Sequence, residues 1–145
     1  MSDRVFVDTN VFVYLFDVDS PGKRSIAREL LTELSHSAVL VVSTQVLQEF
    51  YVSVTRKLAT PLPAEEAAEA TRALSAYTVV QVDAPLIFRA IELCQRETVS
   101  FWDGLIIRAG VEAGCARIVS EDLQHGRSFD DTWIENPFLT SGPEI

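Results

Sequence analysis

Cysteine and histidine are scarce in this chain, with two of each in 145 residues. Cys94 and Cys115 stand far apart, as do His36 and His125, and none has the spacing of a zinc site, a redox pair or a Cys/His nucleophile. Two lone thiols of this kind are expected to be small buried hydrophobes in a reducing compartment. No apolar stretch approaches the ~20 residues needed to cross a bilayer, so no membrane role is expected. Basic residues are also few: 12 Lys and Arg against 21 Asp and Glu leave a net charge of −9. That balance disfavours a broad basic surface for nucleic acid and favours a cationic partner, whether a metal ion or a basic peptide. Met1-Ser2-Asp3-Arg4 leads directly into a predicted strand without the regions of a signal peptide, so a cytoplasmic location is expected.

What remains is foldable material. Hydrophobic residues make up 48% of the chain, and the length suits a single domain over residues 1–145 with a real core. Strand and helix patterns alternate, which predicts an α/β fold with a parallel sheet covered by helices. Strands are expected over residues 4–8, 39–42, 78–82 and 117–120, and a short terminal one over 132–134. A short helix should start at Thr9 or Asn10, after which Asp17 to Gly22 reads as a turn. Four longer helices follow: Lys23 to Ser35, with Ile26, Leu30, Leu31 and Leu34 inward; Thr44 to Leu58; Ala64 to Tyr77; and Leu86 to Glu97. Ser100 should cap a last helix running to Ala113, and residues 121–131 read as a polar loop.

Within this frame four acids fall where an apolar run meets a polar or turn-forming stretch: Asp8, Glu49, Asp103 and Asp122. Positions just past the carboxyl ends of parallel strands line the binding crevice of such a sheet. Carboxylates gathered there repel one another unless a cation, a shared proton or water relieves them, which suggests a hard divalent metal site. Each acid also has an ordinary explanation. Asp8 can cap a helix, Glu49 can sit on an exposed helix face, Asp103 suits a first helical turn, and Asp122 suits a turn.

Four short motifs in this order carry a resemblance: Val7-Asp8-Thr9-Asn10, Gln48-Glu49-Phe50, Phe101-Trp102-Asp103-Gly104 and Val119-Ser120-Glu121-Asp122-Leu123. With the ending Asn136-Pro137-Phe138, the chain resembles the PIN-domain ribonucleases, in particular VapC-type toxins, over residues 5–138. The resemblance implies a three-layer α/β/α sandwich around a central parallel sheet. It implies endonucleolytic hydrolysis of RNA with Mg²⁺, or Mn²⁺ in its place. Asp8 and Asp103 would be metal ligands, with Glu49 and Asp122 completing the cluster. Thr9 and Ser120 would orient carboxylates or water, and Asn10 would stabilise the turn. Glu121 stands beside Asp122, and either could face the site. A VapB-like antitoxin and a homodimer are the implied protein partners. Lys23, Arg24, Arg28, Arg56 and Lys57 are candidate contacts to the RNA backbone.

Two other functions compete. A haloacid-dehalogenase-type phosphatase also starts with a strand ending in Asp, but its second Asp is replaced here by Asn10, and no suitably placed Lys is evident. A catalytically silent PIN-like module binding RNA or protein would have no chemical need for all four acids.

Overall fold

A computed structural model describes residues 3–139; Met1 and Ser2 of the expected leaderless start lie outside them. Strand β1 (Asp3–Val7) is followed by α1 (Thr9–Tyr14), α2 (Pro21–Ser37) and β2 (Ala38–Ser43). Next come α3 (Thr44–Val52), α4 (Ala64–Leu74), β3 (Thr78–Val80), α5 (Ala84–Arg96) and α6 (Phe101–Glu112). Strands β4 (Arg117–Val119), β5 (Ser128–Phe129) and β6 (Thr132–Glu135) complete the chain. The sheet order is β3-β2-β1-β4-β6-β5, parallel throughout except for the β5–β6 pair. Helices cover it as a three-layer α/β/α sandwich, the PIN-type architecture expected.

The central strands are apolar because both faces are covered. Val5, Phe6, Val7, Val41, Val42, Ile118 and Val119 are almost completely buried. Helix α6 approaches this layer closely at Gly110, where an added Cβ would stand 2.7 Å from Ile118 Cγ1. Between β1 and β4 the strand order reverses direction, because the chain runs outward from β1 to β2 and β3 and then crosses back to β4. Crevices at such reversals are where open α/β sheets bind ligands.

Several local expectations need correction. Helix α2 begins at Pro21, because proline at the first helical position has no N–H to lose and a preset φ; the Pro-Gly pair is therefore a helix start. Its buried face is Ala27, Leu31 and Leu34, while Ile26 turns outward. Helix α3 gives way at Ser53–Lys57 to a π-helical turn, closed by Leu58 N–H donating to Ser53 O at 3.2 Å. Helix α4 stops at Leu74, and β3 ends at Val80. The loop expected over 121–131 contains β5, which pairs with β6 through a turn at Asp130, where φ is 52°. A two-residue strand is too short to show alternation. Cys115 is buried, and desolvation pushes its thiol up to about 12, whereas Cys94 is only half-buried. Among the described residues, no helix is long and apolar enough to cross a membrane.

Candidate active site

Asp8 is the first residue beyond β1, and its N–H donates to Val119 O at 2.9 Å, extending the β1–β4 ladder by one step. This places its carboxylate at the strand-order reversal, only 6% exposed. Its Oδ1 accepts from Thr9 N–H at 2.7 Å, and its Oδ2 accepts from the Ser120 hydroxyl at 2.7 Å. Desolvation drives the carboxyl up to about 7, and the charges of Asp122 and Glu49 add to that; the bonds from Ser120 and Thr9 offset part of it. The helix-cap explanation of Asp8 is thus correct for the backbone contact, but it leaves the burial and the second oxygen unexplained.

Beyond β4, Ser120 organises the next turn. Its Oγ accepts N–H bonds from Asp122 at 3.1 Å and Leu123 at 3.4 Å while donating to Asp8. Asn10 then ties the two crossovers together. Its Nδ2 donates to Asp122 Oδ2 at 3.1 Å and reaches Asp8 Oδ2 at 3.5 Å, and its Oδ1 accepts from Glu121 N–H. The two adjacent acids diverge. Asp122 faces Asn10, whereas Glu121 turns away to form an ion pair with Lys23 and accepts from the Tyr14 hydroxyl at 2.5 Å.

Glu49 comes from α3, capped by Ser43. Its Oε1 accepts from Thr9 Oγ1 at 2.8 Å and its Oε2 from Gln45 Nε2 at 3.2 Å. Gln45 also donates to Trp102 O at 3.3 Å, joining α3 to the first turn of α6. Asp103 lies in that turn, its N–H bonded to the capping Ser100 Oγ at 3.1 Å. Burial raises the Asp103 carboxyl above the ordinary range, hydrogen bonding to Ser100 offsets this, and Asp122 and Glu49 raise it further.

The charges of Glu49 and Asp122 thus act on both Asp8 and Asp103, but the four predicted acids do not share one cavity. Glu49 and Asp122 line a groove of about 600 Å³ with Thr9, Asn10, Tyr14 and Lys57. Asp103 and Asp122 line a second cleft of about 230 Å³ on the other side. Asp8 lines neither and lies beneath them. Among the described residues none of the four forms an ion pair, although nearby Glu121 does. No three His, Cys, Asp or Glu groups among these residues stand at metal-ligating spacing. Mg²⁺ keeps several waters and uses one or two carboxylates, so this all-oxygen donor set fits a hard divalent cation without a closed cage.

Sequence reasoning did not anticipate the bridging roles of Asn10 and Gln45. Asn10 was expected only to support the turn, and the i, i+4 spacing of Gln45 and Glu49 on one helix was the available signal. Of the candidate cations, Lys23 is committed to Glu121 and Arg24 Nε donates to Leu15 O at 3.0 Å, while Lys57 reaches the groove.

Known proteins share this arrangement of elements. The family model for the PIN domain matches residues 5–128. A toxin–antitoxin complex from Klebsiella pneumoniae superposes with a TM-score of 0.68 at 16% identity, covering 92% of this chain and 98% of that one. VapBC2 from Rickettsia felis, bound to a DNA fragment from their promoter, gives 0.64 at 16% identity with the same coverage. VapC20 of Mycobacterium tuberculosis, a sarcin–ricin-loop-cleaving toxin, gives 0.62 at 23% identity over 79% of this chain and 86% of that one. No curated protein matches significantly.

Proposed function

Because this chain belongs to the PIN domain family, we propose that it is a metal-dependent endoribonuclease, the toxin of a toxin–antitoxin pair. The observation that carries this reading is the uncompensated acidic cluster at the β1–β4 reversal. The charges of Glu49 and Asp122 act there on both Asp8 and Asp103, and none of the four carboxylates forms an ion pair among the described residues. Keeping them together costs stability, which makes functional use the better explanation.

Asp8 and Asp103, with Glu49 and Asp122 completing the cluster, would hold Mg²⁺ or Mn²⁺, which would supply positive charge against the phosphate and acidify a water. The chain's own part is positioning. Thr9 and Gln45 fix both oxygens of Glu49 at the groove wall, where its carboxylate can accept a proton from a water aimed at phosphorus. Ser120 and Asn10 hold Asp8 and Asp122 in register across two strands. The exposed groove suits a flexible, unpaired RNA strand.

The same groove suits an antitoxin of the VapB type. A basic peptide side chain would meet carboxylates that form no ion pair among the described residues, and the net charge of −9 steers such a peptide inward. We place the protein in the cytoplasm as a homodimer, with outward Phe88 and Ile91 on α5 supplying apolar surface for a second copy.

Cleavage of total cellular RNA with Mg²⁺ or Mn²⁺ tests the reading. Discrete metal-dependent cuts by the wild type, lost in Asp8→Asn and Asp103→Asn, are expected. No cutting by antitoxin-free protein would favour the silent binding module.

A further inference from the structure

The 230 Å³ cleft on the α6 side has features that the acids do not explain. At ~30 Å³ per water it holds about eight waters, room for one planar ring system. Ile107, Leu123 and Ile134 stand in its lining almost fully buried, so most of the surface it offers is polar. Gln124 and Arg127 line it together with Asp103 and Asp122. An amide, a guanidinium already paired with Glu97 and two carboxylates suit the uncharged hydrogen-bonding edge of a heterocycle better than a bare phosphate.

Arg127 is held ready for such a role. Its Nη2 donates to Glu97 Oε1 at 2.6 Å, and its guanidinium lies 4.6 Å from the centre of the Phe129 ring. Strand β5 and the β5–β6 pairing fix Phe129, so the stack has a rigid base. Of the five N–H donors of an arginine, one is used among the described residues. The pair with Glu97 also cancels its net charge, which weakens attraction to phosphate while leaving directional donors.

We infer that this cleft is a nucleobase subsite, taking one unstacked RNA base that presents acceptor atoms next to the bond being cut, with Arg127 and Gln124 as specificity residues. The inference rests on the ribonuclease reading and deepens it. Unpaired bases are read by apolar stacking and by hydrogen bonds to their edges, and a guanidinium matches an acceptor pair on a purine. Because Asp103 and Asp122 line the same cleft, a base held there would bring its attached phosphate to the acids.

The test uses an RNA cut by the wild type, found by end-mapping total cellular RNA, and versions made abasic one position at a time on either side of the scissile bond. Removing the recognised base should lower wild-type kcat/KM about tenfold or more. Arg127→Ala should lose a similar factor on the intact RNA and little further on that abasic version. Gln124→Ala, at an exposed position where folding is not at risk, should show the same coupling to a smaller degree. Equal losses from base removal in wild type and in both folded variants, at every position tested, would overturn the subsite and leave the nuclease standing. No metal-dependent cut by the wild type would overturn the nuclease reading, and the subsite with it.

Discussion

Ser120 donates its hydroxyl to Asp8 at 2.7 Å across the gap between two neighbouring parallel strands, although 112 positions separate them in the chain. The bond fixes one oxygen of a buried carboxylate whose ionisation the fold opposes, so Asp8 links the chemistry of the site to the stability of the domain.

That link has a definite sign. The Asp8 carboxyl rises from 3.8 to about 7 on folding. Below the lower value it is protonated in both states and contributes nothing. Between the two, the unfolded chain ionises it and the folded chain does not, so stability falls as pH rises, and above the upper value the penalty is constant. In EDTA, wild type should lose roughly 2–3 kcal/mol relative to Asp8→Asn between about pH 5 and 8, at ~1.36 kcal/mol per pH unit. Parallel urea-derived stability profiles would contradict this.

Divalent cation should reverse the penalty. At a hundredfold excess over Kd, linkage gives about 2.7 kcal/mol, or roughly 5–10 °C in Tm for a domain of this size. The rise should be larger at pH 8 than at pH 6, because binding competes with the proton on Asp8. Asp8→Asn should lose most of it; an unchanged Mg²⁺ response in thermal melts of that variant would remove Asp8 from the site.

Gln45 is a positioning residue in this scheme. It is almost fully buried, donates to Glu49 and Trp102 O, and leaves its Oε1 without a partner among the described residues. Gln45→Leu removes that orphan atom, so stability should change by only about 1 kcal/mol. Turnover should fall about tenfold with KM unchanged, because Glu49 loses one of its two restraints. A rise in KM at constant kcat would assign Gln45 to binding instead.

Gly110→Ala probes the contact between α6 and the sheet. Its Cβ would meet Ile118 Cγ1 and Cδ1 at 2.7 and 2.8 Å, inside a fully buried layer. Overpacking of about 1–3 kcal/mol should exceed the ~1 kcal/mol gained in helix propensity. Adding Ile118→Val should recover part of the loss in chemical denaturation, and a stabilised single variant would show that the layer yields.

The acids were legible because strands announce themselves by β-branched runs, and a carboxylate ending such a run is conspicuous. Asp8 and Asp122 follow from that pattern, and their neighbours Thr9 and Ser120 follow with them. The divergence of Glu121 from Asp122 was not legible, because it depends on Lys23 and Tyr14, which are distant in sequence. Strand β5 hid in a polar loop, and with it the support for Arg127. The layered sandwich follows from strand–helix alternation, while the division of the site into two cavities depends on side-chain packing that no periodicity encodes.

The π-helical turn at Ser53–Lys57 makes chain length itself a determinant of the site. Such a turn spreads its residues over a wider loop than an α-helix does, which sets the angular offset between Glu49 upstream and Lys57 downstream on the wall of the same groove. Excising one residue there would let the helix relax to ordinary geometry and would swing Lys57 out of phase with Glu49. At this point the charge pattern of the groove is specified by a count of residues as well as by their identity, so a deletion that improves the helix would damage the proposed activity.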